Sequence, residues 1–157
     1  MSDISYTAFF DRDTTTVDGW FTIQEFNRKT GRVTKLIDRV AARSGQAGYT
    51  DTDWVTGQSP IPRGTHTLYT EPLNKGQDAG ATGIGEFYPI DNCGDRTSIW
   101  TANRRFRRLN IGLHEENKWR GSAGCVVIVK DKDWEKVKQI IATIRKNKVL
   151  FLPLRIV

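Results

Sequence analysis

A chain of 157 residues is one domain's worth and can bury a core without disulfide or metal staples. With 38% apolar and 27% charged residues it has the composition of a globular protein, which excludes a disordered or fibrous chain, and no run approaches the ~20 apolar residues of a membrane-spanning helix. The net charge of +6 is uneven: residues 101–120 carry Arg104, Arg105, Arg107, Arg108, Lys118 and Arg120 against Glu115 and Glu116. That balance points to an anionic partner, whether nucleic acid, an acidic polymer or a substrate carboxylate.

The first residues, MSDISYTAFFDRDTTT, have neither a basic n-region nor an apolar h-region, so no secretory signal is expected. Residues 1–157 read as one domain, with 1–19 open as an N-terminal extension. WFTIQEF (20–26) reads as a strand, NRKTG (27–31) as a turn, and RVTKLIDRVAA (32–42) as the return strand of a hairpin. Residues 43–60 read as a long loop, 61–64 as a tight turn, and THTLYT (65–70) as a strand. A loop is expected over 71–83, with strands at IGEFYPI (84–90) and TSIWTA (97–102).

LNIGLH (109–114) alternates, with Leu109, Ile111 and Leu113 on one face and Asn110, Gly112 and His114 on the other. CVVIV (125–129) has the pattern of a strand buried on both faces. Asp131 is expected to cap a helix whose apolar stripe is Trp134, Val137, Ile140, Ile141 and Ile144. VLFLPLRIV (149–157) closes the chain as a strand, and Pro153 suggests an edge or a bulge. The class is mainly β with one packed helix.

The segment that carries chemistry is IGLHEENKWRGSAGCVVIV (111–129). If its two strands lie side by side, His114 and Cys125 meet. A thiol needs a base or a cationic neighbour to act as a nucleophile near neutral pH, and His114 can supply one. Gly124 lets a ligand approach the backbone, and the N–H groups of Gly124 and Cys125 could bind an oxyanion. Against this stands a plain reading in which Cys125 is a small buried hydrophobe and His114 a solvated strand end.

His114 followed by S-x-G-C at 122–125 and an apolar strand resembles the signature of the L,D-transpeptidase (YkuD-like) family. Ser44, Gly45 and GQSPIPRGTHTLYT (57–70) are similar to that family's approach to its first core hairpin, and the resemblance spans roughly residues 20–157. It looks closest to the short branch found among type VI secretion effectors and phage-encoded relatives. The resemblance implies an L,D-transpeptidase-like β-sandwich or barrel that works without cofactor or metal. It implies Cys125 as nucleophile, His114 as base, Ser122 orienting the imidazole or lining the pocket, and Gly124 with Cys125 as the oxyanion hole. The substrate would be a peptidoglycan stem peptide, with transpeptidation, D-amino acid exchange or L,D-carboxypeptidase activity as outcomes. Synthesis in the cytoplasm and delivery to the periplasm or cell wall by a secretion system or phage would follow. An immunity protein or a secretion or virion component would then be a protein partner.

The run RRFRR admits two readings. Arg104, Arg105, Arg107 and Arg108, with Arg120 and Trp119 nearby, could bind stem carboxylates in bidentate fashion, or could guard an edge strand with charge. No nucleic-acid motif accompanies them. His66 reads as a surface or groove residue, Cys93 as a turn thiol able to pair with Cys125, and Asp91 and Asp95 as turn residues. Two other functions compete. A papain-like or NlpC-like peptidase has its Cys before its His and at a helix start, the reverse of the order here. A non-enzymatic cell-wall-binding virion or tail component could keep the fold and lack an open groove.

Overall fold

The longest strands form the hairpin that the sequence predicts. In a computed structural model that describes residues 3–12, 17–46, 59–74, 86–94, 98–100, 107–109, 111–116 and 124–157, β2 (Asp18–Asn27) pairs antiparallel with β3 (Val33–Ser44). The turn closes because the Asn27 carboxamide oxygen accepts from the N–H groups of Lys29 and Thr30. Gly31 then takes φ +72°, a conformation that favours glycine.

Residues 4–12, ahead of the first expected strand, form β1 (Ile4–Arg12). It lies between β2 and the closing strand β11 (Phe151–Ile156), so this part of the N-terminal segment is barrel wall. Pro153 is therefore not on an edge. It sits opposite Thr67 of β4 (Gly64–Tyr69), one residue before the parallel register with β1 begins at Leu154.

The strand expected over 109–114 is broken. Residues Arg107–Leu109 form β8, which pairs with β7 (Ser98–Trp100) in a separate two-stranded ribbon, and Gly112–Glu115 form β9. Leu73–Asn74 form a short β5 on β6 (Glu86–Asp91), inside the stretch expected as loop. β10 (Val126–Ile128) inserts between β3 and β9, antiparallel to the first and parallel to the second. The order β4-β11-β1-β2-β3-β10-β9-β6 closes where Thr67 meets Asp91 and Leu68 meets Ile90. The result is an eight-stranded barrel.

Period-two alternation fills the inside of this barrel. Ala8, Phe10, Phe21, Ile23, Ile37, Leu68, Ile90, Leu113, Val126, Ile128, Leu152 and Leu154 belong to one buried cluster. Helix α1 (Asp131–Lys146) adds Trp134, Val137, Ile141 and Ile144 to it and packs against β3, β9 and β10. The Trp134 ring meets Tyr88 edge-on with centroids 5.9 Å apart. Asp131 is not the N-cap. That position belongs to Lys130, which makes no side-chain cap bond, and Asp131 and Asp133 instead place negative charge in the first turn. Among the described residues, no helix is long and apolar enough to cross a membrane.

His66 is not a surface residue. It points with Leu68 into the barrel, is 3% exposed, and bonds the Pro62 carbonyl through Nε2 at 2.7 Å. Asp91 is no turn residue either: it ends β6, is buried, and accepts from the Tyr69 hydroxyl at 3.0 Å. Asp95 lies outside the described residues.

Trp134 joins the helix to the barrel through the largest buried side chain. Trp134→Ala should lower the unfolding free energy by about 3–5 kcal/mol, read as a drop in urea midpoint. A loss under 1 kcal/mol would mean that α1 is not integral to the core.

Candidate active site

Register places the two candidate catalytic residues on one face of the sheet. In a parallel pair the end of one strand and the start of the next lie apart, but β9 and β10 are short, so that separation is small. Val127 stands opposite His114, and Val126 opposite Leu113. One residue earlier, Cys125 falls beside Gly112. Cys125, Val127, Gly112 and His114 share one parity, and Val126, Ile128 and Leu113 of the other parity fill the barrel. Cys125 and His114 are thus diagonal neighbours on the outer face, with Cα atoms about 8 Å apart by ideal strand geometry.

Both are covered from water. Cys125 is 7% and His114 5% exposed. Among the described residues, Phe87 of β6 contributes to this cover: it packs with Cys125 and Val127 and stacks on the His114 ring at 6.0 Å and 22°. It can lie there because Gly112 has no side chain: a Cβ on Gly112 would stand 2.3 Å from the Phe87 ring. Gly112 therefore makes the seat for the ring that seals the pair.

The backbone on either side of the pair is held. His114 Nδ1 lies 2.6 Å from the carbonyl oxygen of Glu115. A carbonyl only accepts, so Nδ1 carries the proton and Nε2 keeps the lone pair of a neutral imidazole. Burial drives the His114 pKa down to about 4, and the Glu115 carbonyl opposes this only in part. At neutral pH His114 is a proton acceptor, not the cationic neighbour that the sequence also allows. Glu116 steadies the same stretch: its N–H donates to Ile128, and its carboxylate takes a 2.8 Å hydrogen bond from Arg43 across β10.

Ahead of Cys125, Gly124 has φ +106° and its carbonyl accepts from the Ser44 hydroxyl at 3.2 Å. The same hydroxyl oxygen accepts from the Ile61 N–H at 2.8 Å. Ser44 thereby ties β3, the 59–62 segment and the approach to Cys125 together. Sequence reading named Ser44 only inside a pattern. Arg43 and Phe87 it missed, because their signal is cross-strand register.

The remaining candidates divide plainly. Ser122, Arg104, Arg105, Arg120 and Trp119 lie outside the described residues. Arg107 and Arg108 lie in β8, opposite Trp100 and Ile99. Neither Cys93 nor Cys125 is in a disulfide, and Cys93 contacts the Asn92 carboxamide at 3.2 Å. Among the described residues, no group of three or more His, Cys, Asp or Glu side chains converges as a metal ligand set.

Two expectations follow. Gly112→Ala should displace Phe87, speed alkylation of Cys125 at least several-fold, and cost about 1–3 kcal/mol as overpacking does. Unchanged labelling of Cys125 by mass spectrometry would show that Phe87 is not its cover. The second concerns acid. Burial lowers the pKa of both His66 and His114, so the unfolded chain binds more protons as pH falls through 6.5. Stability should therefore decline below pH 6.5, and the His114 share, about 3 kcal/mol, should be fully lost by about pH 4. Urea titrations of His114→Asn should show a shallower decline over that window; an equal slope would contradict the assignment.

No family model matches the chain, and neither a curated protein nor a solved structure matches it.

Proposed function

We propose that the protein is a cysteine acyl-transferase acting on peptidoglycan stem peptides, with an L,D-transpeptidase-like barrel. The observation that carries this reading is the pairing of Cys125 with a neutral, tautomer-fixed His114 on one face of β9 and β10. The Glu115 carbonyl takes the place of the third member that orients a catalytic imidazole. His114 accepts the thiol proton through Nε2. The Cys125 sulfur attacks the carbonyl of the third stem residue, and the protonated imidazole returns the proton to the leaving amine of the terminal D-residue. An amine or water then takes the acyl group from sulfur. Gly124, on the positive-φ side, gives the backbone beside Cys125 a close approach to the developing oxyanion. Delivery to the cell wall as an antibacterial effector or a phage enzyme belongs to the same proposal, as do recognition of stem carboxylates by the arginines near Arg107 and an immunity or secretion partner.

One observation favours a second reading. Phe87 seals the pair, as it would in a non-enzymatic cell-wall-binding virion or tail component that kept the fold. Turnover by the first reading requires that ring to swing away when substrate binds.

The two readings separate on purified muropeptides analysed by mass spectrometry. The wild type should release the terminal D-amino acid, and Cys125→Ala should lose at least 10³-fold in kcat while folding normally. The acid limb of kcat/KM should fall near pH 4, not near 6.5, because His114 stays neutral down to that value. Equal product from wild type and Cys125→Ala, or none from either, would remove the acyl-transfer reading.

A further inference from the structure

A second group of outward-facing side chains lies further along β10. A cleft of about 590 Å³ runs over β2 and β3. Its walls include Asp11, Asp18, Trp20, Arg39, Arg43 and Val129. Trp20 is 43% exposed, a high exposure for an indole. The Arg39 guanidinium lies over its ring, 4.9 Å from the centroid. Arg43 is tied to Glu116 and to Asp18, whose Oδ1 is 3.0 Å from Nε but off the N–H axis. Among the described residues, Arg39 and Asp11 take part in no ion pair.

The backbone here is strained in a directed way. Phe21 pairs with Val40 and Ile23 with Ile37, so Asp38 and Arg39 oppose the single residue Thr22. Arg39 is the bulged residue and takes φ +52°, a region costly for a side chain with a Cβ. Its N–H donates to the Thr22 hydroxyl at 3.4 Å. A β-bulge of this kind re-aims a side chain, and here it sets Arg39 over Trp20. By contrast, in the cleft between α1 and β6 Lys138 pairs with Glu135 and Glu86, and Arg145 pairs with Glu71.

A partly exposed indole that carries a forked guanidinium over its ring, next to a carboxylate in no ion pair, is chemistry that can recognise a sugar ring. The apolar face of the ring stacks on the indole, and its hydroxyl and acetamide groups meet the fork and the carboxylate. The position agrees with the substrate proposed above. From Cys125 to Val129 is four residues along β10, about 13 Å, and Trp20 lies two strands across, about 10 Å. The direct separation is about 16 Å. Three extended stem residues reach about 10 Å, and the lactyl ether and first sugar cover the remainder. We infer that the cleft formed by Trp20, Arg39 and Asp11 is a subsite for the N-acetylated disaccharide of peptidoglycan. It would hold the glycan while the attached stem reaches Cys125. The inference rests on the reading of Cys125 as a peptidoglycan nucleophile.

The test separates the subsite from that reading. Isothermal titration of the whole protein with the peptide-free disaccharide of N-acetylglucosamine and N-acetylmuramic acid should give saturable binding. Trp20→Ala and Arg39→Gly should each weaken it at least tenfold. Arg39→Gly removes the guanidinium while relieving the bulge, so its melting temperature should not fall, and lost affinity in that variant is not unfolding. The disaccharide-tetrapeptide should also show a KM at least tenfold below that of the free tetrapeptide, and Trp20→Ala should erase the difference. Absence of disaccharide binding, equal binding in both variants, or equal KM for the two substrates overturns the subsite. Binding of the disaccharide with no turnover of any muropeptide would uphold the sugar site and sink the acyl-transfer reading.

Discussion

The register between β9 and β10 is the constraint on which the site depends. His114 stands opposite Val127, which leaves Cys125 two residues back on the same face. Side chains alternate with period two, so a slip of one residue would set the thiol and the imidazole on opposite faces of the sheet. The register cannot slip cheaply, because Val126, Ile128 and Leu113 on the other parity are packed inside the barrel. Core packing therefore holds the outer-face geometry, and the outer pair need not stabilise itself.

Closure of the barrel has a second consequence. Among the described residues, the inside is filled with side chains from all eight barrel strands and the helix. On the outer face, burial comes from added layers and not from the barrel core. Phe87 is one such layer, seated on Gly112 and stacked on His114. Arg43 is another, reaching over β10 to Glu116 and back to Asp18. Phe87 packs on Val127, and Arg43 stands opposite it on β3.

The local electrostatics follow from that enclosure. A buried imidazole next to a backbone carbonyl is held in one tautomer and kept neutral, which suits proton acceptance and not ion pairing. His66 reaches the same neutral state inside the barrel for the same reason, and its Nδ1 is without a hydrogen-bond partner. The cost of charging both groups opposes this fold in acid.

Sequence alone determined the elements with strong periodicity. The β2–β3 hairpin, the doubly buried β10 and the apolar stripe of α1 follow from alternation, β-branched runs and helical spacing, all of which are local properties. The candidacy of Cys125 and His114 was also legible, because a thiol after Gly124 and a preceding histidine are residue types in order. Tertiary structure decided the rest. Ile111 to His114 look like the end of one alternating strand, but all four are buried, because the chain turns from the β7–β8 ribbon into the barrel at that point. Pro153 reads as an edge residue, yet β11 is flanked on both sides, by β4 and by β1, which residues distant in sequence supply. Phe87, Arg43 and Trp20 carry no motif. Each acquires its role from what lies across a strand, and cross-strand partners are set by register and closure, which no local stretch of sequence contains.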